Sequence, residues 1–128
     1  MWIIVALCVI LSYTKRNYEM IIVEEELFMA ENFERQAIGV FELDSYLSCF
    51  VALDAAAKAA NVKIQGIERN RLKSGACVKM RGSVSDVTAA MDAALQTAQD
   101  MGSDVYAHTI IASPAEDSEK AIRMTINK

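Results

Sequence analysis

Apolar and polar positions alternate in a regular order beyond Gln36. Ala37–Leu43 (AIGVFEL) is a short apolar run that ends in charge, which predicts a strand. Asp44 and Ser45 are good helix N-cap types, and the Ala-rich stretch from Tyr46 to Ala60 carries Phe50, Leu53 and Ala57 at helical spacing. Asn61 ends that helix. Val62–Glu68 (VKIQGIE) alternates as a half-buried strand does, Arg69–Gly75 (RNRLKSG) reads as a basic loop, and Ala76–Arg81 (ACVKMR) is a further strand closed by Gly82. Ser83 and Ser85 are candidate caps for a second helix. Val84, Val87, Met91, Ala94, Leu95, Ala98 and Met101 line one of its faces, and Gly102 follows as a natural C′ residue. Asp104–Ala112 (DVYAHTIIA) predicts a fourth strand. Ser113-Pro114-Ala115-Glu116 combines a capping box with Pro at the first helical position, so a short helix should run to about Thr125.

The order is therefore β-α-β-β-α-β-α. Its βαββαβ core matches the ferredoxin-like arrangement, an α+β fold with a four-stranded antiparallel sheet and two main helices. Three parts are expected: an extension over residues 1–36, one domain over 37–116, and a terminal helix and tail over 117–128. This arrangement hosts many activities, so function has to come from the residues.

Composition narrows the options. The chain has 128 residues, 53% of them hydrophobic, with seven Met, one Pro and 23% charged residues, which excludes a disordered chain. Such apolar content suggests surface that meets other subunits. The net charge of −4 gives no indication of a broad nucleic-acid surface. Cys8, Cys49 and Cys77 form no CxxC pair, and a single His, His108, leaves no metal-ligand set. Cys49 and Cys77 are expected to be buried thiols that pack as small hydrophobes in a reducing cytoplasm. His108 reads as a packing or interface residue. Glu42 and Asp54 have no visible catalytic partner. No nucleophile elbow, phosphate-binding Gly loop or metal spacing occurs, so no catalytic residue and no cofactor are assigned.

The run Trp2–Leu11 (WIIVALCVIL) is strongly apolar but shorter than the roughly 20 residues of a membrane span. A signal peptide carries positive charge before its apolar stretch, whereas Lys15 and Arg16 follow this one. Glu24-Glu25-Glu26-Leu27-Phe28 is what a purine-rich ribosome-binding site and spacer give when translated. Translation is therefore expected to begin at Met29, with residues 1–28 an appended segment. An export or membrane role is not expected.

Four blocks, in order and near-constant spacing, resemble the hexamer-forming shell proteins of bacterial microcompartments, the family of carboxysomes and of ethanolamine- and propanediol-utilising organelles. They are Ala37-Ile38-Gly39-Val40-Phe41-Glu42, then Ala57-Lys58-Ala59-Ala60-Asn61-Val62, then Arg81-Gly82-Ser83-Val84, and finally Asp92-Ala93 with Gly102. His108 also stands where the family often has a His. The strand order is that of the unpermuted branch.

The resemblance implies a structural tile of the shell, not an enzyme, that forms a homohexamer in the cytoplasm. It implies partnership with other shell proteins of the same compartment and with encapsulated enzymes. It also implies that Arg69, Asn70, Arg71, Leu72, Lys73, Ser74 and Gly75 line a central pore, and that Lys58 contacts the next hexamer at the disc edge. The family's usual Gly-Ser-Gly-type loop is replaced here by a longer basic one. Rings of basic side chains lower the barrier to anions, so small anionic metabolites are the expected traffic. Two alternatives stand beside this. One is a small ferredoxin-like oligomeric module whose basic loop binds a phosphate-bearing ligand. The other is a redox tile with an iron–sulfur cluster at the pore, against which the absence of Cys in Arg69–Gly75 argues.

Overall fold

The computed structural model describes residues 33, 36–70 and 74–126. The apolar run Trp2–Leu11, Cys8, the expected start at Met29, and Arg71, Leu72 and Lys73 of the basic loop lie outside the described residues. In chain order the elements are β1 (Ala37–Leu43), α1 (Tyr46–Ala59), β2 (Lys63–Arg69), β3 (Ala76–Gly82), α2 (Val84–Asp100), β4 (Val105–Ile111) and α3 (Glu116–Thr125). The strands form one sheet in the order β2-β3-β1-β4, with every neighbouring pair antiparallel. This is the ferredoxin-like arrangement expected, in unpermuted order.

Strand composition follows position in the sheet. β1 and β3 are central, so both of their faces need cover, and both are largely buried. In β3 the period of two sends Ala76, Val78 and Met80 into the core beneath α1 and α2, and turns Cys77, Lys79 and Arg81 to the opposite face. β4 is an edge strand and six of its seven residues are exposed in the single chain, Val105, Tyr106 and Ile111 among them.

The helices cover the core through small residues. α1 buries Ser48, Cys49, Ala52 and Ala56. α2 buries Val87, Ala90, Met91, Ala94 and Ala98. This corrects the stripe expected on α1. Leu53 is half-buried, but Ala57 is exposed and Phe50 is 45% exposed. The row of small side chains lets α1 lie close against α2 and the sheet, and the large apolar residues turn outward. Phe50 then meets the Tyr46 ring edge-on, with centroids 5.1 Å apart. Val84 and Met101, expected on the buried face of α2, overhang its two ends and are exposed.

The caps follow the sequence at two helices and depart from it at the third. The Ser45 Oγ accepts from the Ser48 N–H, and the Ser83 Oγ from the Asp86 N–H. Gly102 has φ 69°, and the Ser103 N–H reaches back to the Ala98 carbonyl, closing a Schellman turn. The expected capping box at Ser113 does not form. α3 starts at Glu116 behind Ala115, which makes no side-chain cap bond. Glu116, Asp117 and Glu119 put three carboxylates in that first turn, where the helix dipole favours negative charge without a capping hydroxyl.

Among the described residues, no helix is long and apolar enough to cross a membrane. Cys49 is buried, and its Sγ–H donates to the Ala76 carbonyl; burial pushes its thiol pKa up. Cys77, expected to be buried, is only partly so. It lies on the face of β3 that α1 and α2 do not cover, and desolvation raises its pKa against the opposing pull of Lys79.

Candidate functional site

Arg69 was expected in the basic loop, but it is the last residue of β2 and pairs with Ala76. It is exposed, and its guanidinium carbon lies 5.1 Å from the centre of the Tyr46 ring at the start of α1, a cation–π distance. Asn70 follows, with its N–H bonded to the Gly75 carbonyl at 2.9 Å and its Nδ2 donating to Glu42 Oε1 at 3.1 Å. On the return side the Ser74 Oγ–H donates to the Asp44 carbonyl at 2.8 Å. The two ends of the loop are thus closed on each other and tied to the end of β1. Gly75 is buried where a Cβ would stand 1.6 Å from the Leu43 carbonyl oxygen, so only glycine fits between β1 and the start of β3.

Asp44 anchors the same end of the sheet. Its carboxylate accepts a hydrogen bond from the Ser103 Oγ–H, and its N–H bonds the Asp104 carbonyl at 3.1 Å. The Ser103 bond holds the Asp44 pKa below the ordinary carboxylate value of 3.8. A depressed carboxylate stabilises the fold above its unfolded-state pKa, and that contribution fades as pH falls through the lower folded-state value. Ser103→Ala should therefore lower the urea midpoint at neutral pH. The gap to the parent protein should close as pH falls through the Asp44 titration.

Lys58 lies on the exposed side of α1. Its Nζ is 2.5 Å from Asp54 Oδ2, one helical turn back, with the side chains 74% and 59% exposed. The carboxylate left without a partner by the sequence is therefore its counter-ion. His108 is exposed on β4, beside an open cleft shared with Asp92, Leu95, Gln96 and Gln99 of α2. Among the described residues no group of His, Cys, Asp and Glu is placed to hold a metal ion.

This fold, with its loop closed between β2 and β3, coincides with a match to the model of the BMC domain over residues 37–114, more than half of the chain. The chain belongs to the bacterial microcompartment shell protein family. It is 39% identical over 85 residues to the carboxysome shell protein CcmK2 of Synechococcus elongatus, a span of 65% of this chain and 81% of that protein. It is 34% identical over 96 residues to the microcompartment shell protein PduA of Salmonella typhimurium, covering 74% of this chain and 99% of the relative. A solved microcompartments protein from Desulfitobacterium hafniense shares the fold, with a TM-score of 0.61 and 22% identity. The match covers 73% of this chain and 49% of that longer one.

Within this shell fold a polar cluster that sequence reasoning missed lies on the sheet face opposite α1 and α2. Arg81 there is fully buried. Its Nη1 and Nη2 donate to the two carboxylate oxygens of Glu119 at 2.7 and 2.6 Å, and its Nε donates to Gln65 Oε1 at 2.7 Å. The Phe33 ring lies 5.2 Å from the guanidinium carbon. Gln65 is the extra residue where β2 bulges between Ile64 and Gly66. Lys79 pairs with Glu68 at 2.9 Å on the same face. One signal was available: in ACVKMRG the alternation sends Lys79 and Arg81 to one side of a central strand. Two buried cations there require carboxylates from elsewhere, and α3 is rich in them.

Proposed function

We propose that six copies of this chain form a flat disc whose central opening is lined by Arg69–Gly75, and that discs join edge to edge through Lys58 into the shell. The chain does no chemistry in this reading. It resides in the cytoplasmic compartment shell beside other shell proteins and enclosed enzymes, and its basic pore passes small anions. The observation that carries the assembly is the apolar surface left open in the single chain. Leu47, Phe50 and Val51 on α1, and Val105, Tyr106 and Ile111 on β4, are all exposed. Apolar surface of this extent marks contact with other chains. The closed ends of the loop support the pore, since a lining loop needs fixed bases. Arg71 and Lys73 add to the positive charge of Arg69, and repeated basic side chains round an opening attract anions.

The Lys58–Asp54 pair makes the edge testable apart from folding. An exposed pair one helical turn apart contributes only about 0.3–0.5 kcal/mol, so Lys58→Ala should leave the thermal midpoint nearly unchanged. Electron microscopy of the purified protein should show six-membered discs joined in sheets, and Lys58→Ala should give discs without sheets. In planar-bilayer recordings the conductance should favour sulfate or phosphate over cations, and Arg71→Ala should reduce that preference. A discrete dimer or trimer with saturable phosphate binding would instead establish a small ligand-binding module.

A further inference from the structure

α3 is a polar helix with one buried residue, Glu119. Its side chain closes on Arg81 of the central strand β3 by two short hydrogen bonds, and Gln65 occupies the remaining Nε–H. The far end of α3 touches a different part of the sheet. The Thr125 Oγ lies 3.3 Å from Glu68 Oε1, its proton shared with the Ile122 carbonyl at 2.8 Å, and Ile126 lies over Gly66, within 3.7 Å of where a Cβ would stand. Glu68 is the residue before Arg69 and is also held by Lys79 at 2.9 Å. The helix is therefore caught at its start by one charge pair and rests at its end on the strand that leads into the β2–β3 loop.

We infer that α3 is a strap that braces the base of the β2–β3 loop, with the Arg81–Glu119 pair as its catch. The Arg81 backbone is fixed, because it stands on a central strand and is paired on both sides with β1 and β2. Glu119 is thus the part that yields when the pair is broken. A buried guanidinium without its anion recovers hydration by letting α3 lift. When α3 lifts, Thr125 leaves Glu68 and Ile126 leaves Gly66, and the end of β2 loses its cover while it keeps its ladder to β3, the Lys79–Glu68 pair and the Arg69–Tyr46 contact. Opening of the loop base, read at the Asn70 N–H that bonds the Gly75 carbonyl, then becomes easier. α3 thereby braces the loop of the proposed pore, and only the consequence for transport rests on that pore reading.

Native-state hydrogen exchange on the full-length protein tests the strap without needing a pore. In Glu119→Gln, amides of α3 and the Asn70 amide should both be accelerated at least tenfold more than amides in the middle of α2, which follow global unfolding. Faster exchange in α3 with an unchanged Asn70 amide overturns the inference. A second variant, Thr125→Val combined with Ile126→Ala, keeps the Arg81 pair and removes the far rest together with the Thr125 bond to the Ile122 carbonyl, so it remains informative if Glu119→Gln does not fold. It should speed exchange at Asn70 by several-fold, and an unchanged rate there also overturns the brace. Anion conductance measured separately decides the pore, so either idea can fail alone.

Discussion

Gly75→Ala is expected to destabilise the protein by at least about 3 kcal/mol, at or above the upper end of the usual range for overpacking. The added methyl would sit 1.6 Å from the Leu43 carbonyl oxygen, 2.7 Å from the Leu43 carbonyl carbon and 3.0 Å from that of Asp44. All three are backbone atoms at the end of a central strand, so no rotamer change relieves the clash. Relief requires β1 and the start of β3 to part. That breaks the Asn70–Gly75 backbone bond and the Ser74 bond to the Asp44 carbonyl, which together close the loop. Gly66→Ala is the matched control. Its methyl would meet only Ile126, at 3.6 Å, an ordinary contact, so a change within about 1 kcal/mol is expected. Urea unfolding of both variants beside the parent measures this. A Gly75→Ala midpoint close to the parent value would mean that the loop base is not the rigid closure described.

Charge burial sets the second large effect. Glu119→Leu leaves the Arg81 guanidinium covered and without its anion, and Arg81→Met leaves Glu119 and Gln65 without their donor. Removing one member of a buried pair costs about 3–5 kcal/mol, reduced here by whatever hydration is regained when α3 lifts. Removing both members takes away the uncompensated charge as well as the attraction. The double variant Arg81→Met with Glu119→Leu should therefore be more stable than either single variant. Its remaining deficit should come from Gln65, which is 6% exposed and loses its hydrogen bond. A double-mutant cycle on urea midpoints reads the coupling directly. Additive losses would show that water already reaches the pair.

Element order, the cap residues Ser45 and Ser83, the Gly102 turn and the strand boundaries within a residue or two were all open to sequence reading. They depend on local chemistry: periodicity, hydroxyl caps, and a glycine with positive φ. So was the family, because Lys58-Ala59-Ala60-Asn61 and Arg81-Gly82-Ser83-Val84 recur as short ordered blocks. The buried face of α1 was misread. Phe50 and Ala57 fit a helical stripe as well as Ala52 and Ala56 do, and hydrophobicity alone does not reveal that close helix packing favours the smaller pair.

Pairings between distant residues had no local trace. The Asp54–Lys58 pair is not one of these, because its i,i+4 spacing on α1 stands in the sequence itself. Glu42 found Asn70, and Arg81 found Glu119, only because strand register and the docking of α3 brought them together. The missing capping box has the same origin. With Glu119 fixed on Arg81 and three carboxylates already in its first turn, α3 starts at Glu116 without Ser113. By itself, then, the sequence determined the elements, their order and the shell family, because those are written in neighbouring residues. Only the tertiary structure decided which charges are buried, which face of α1 is left open and what holds the loop, because those depend on contacts between residues far apart in the chain.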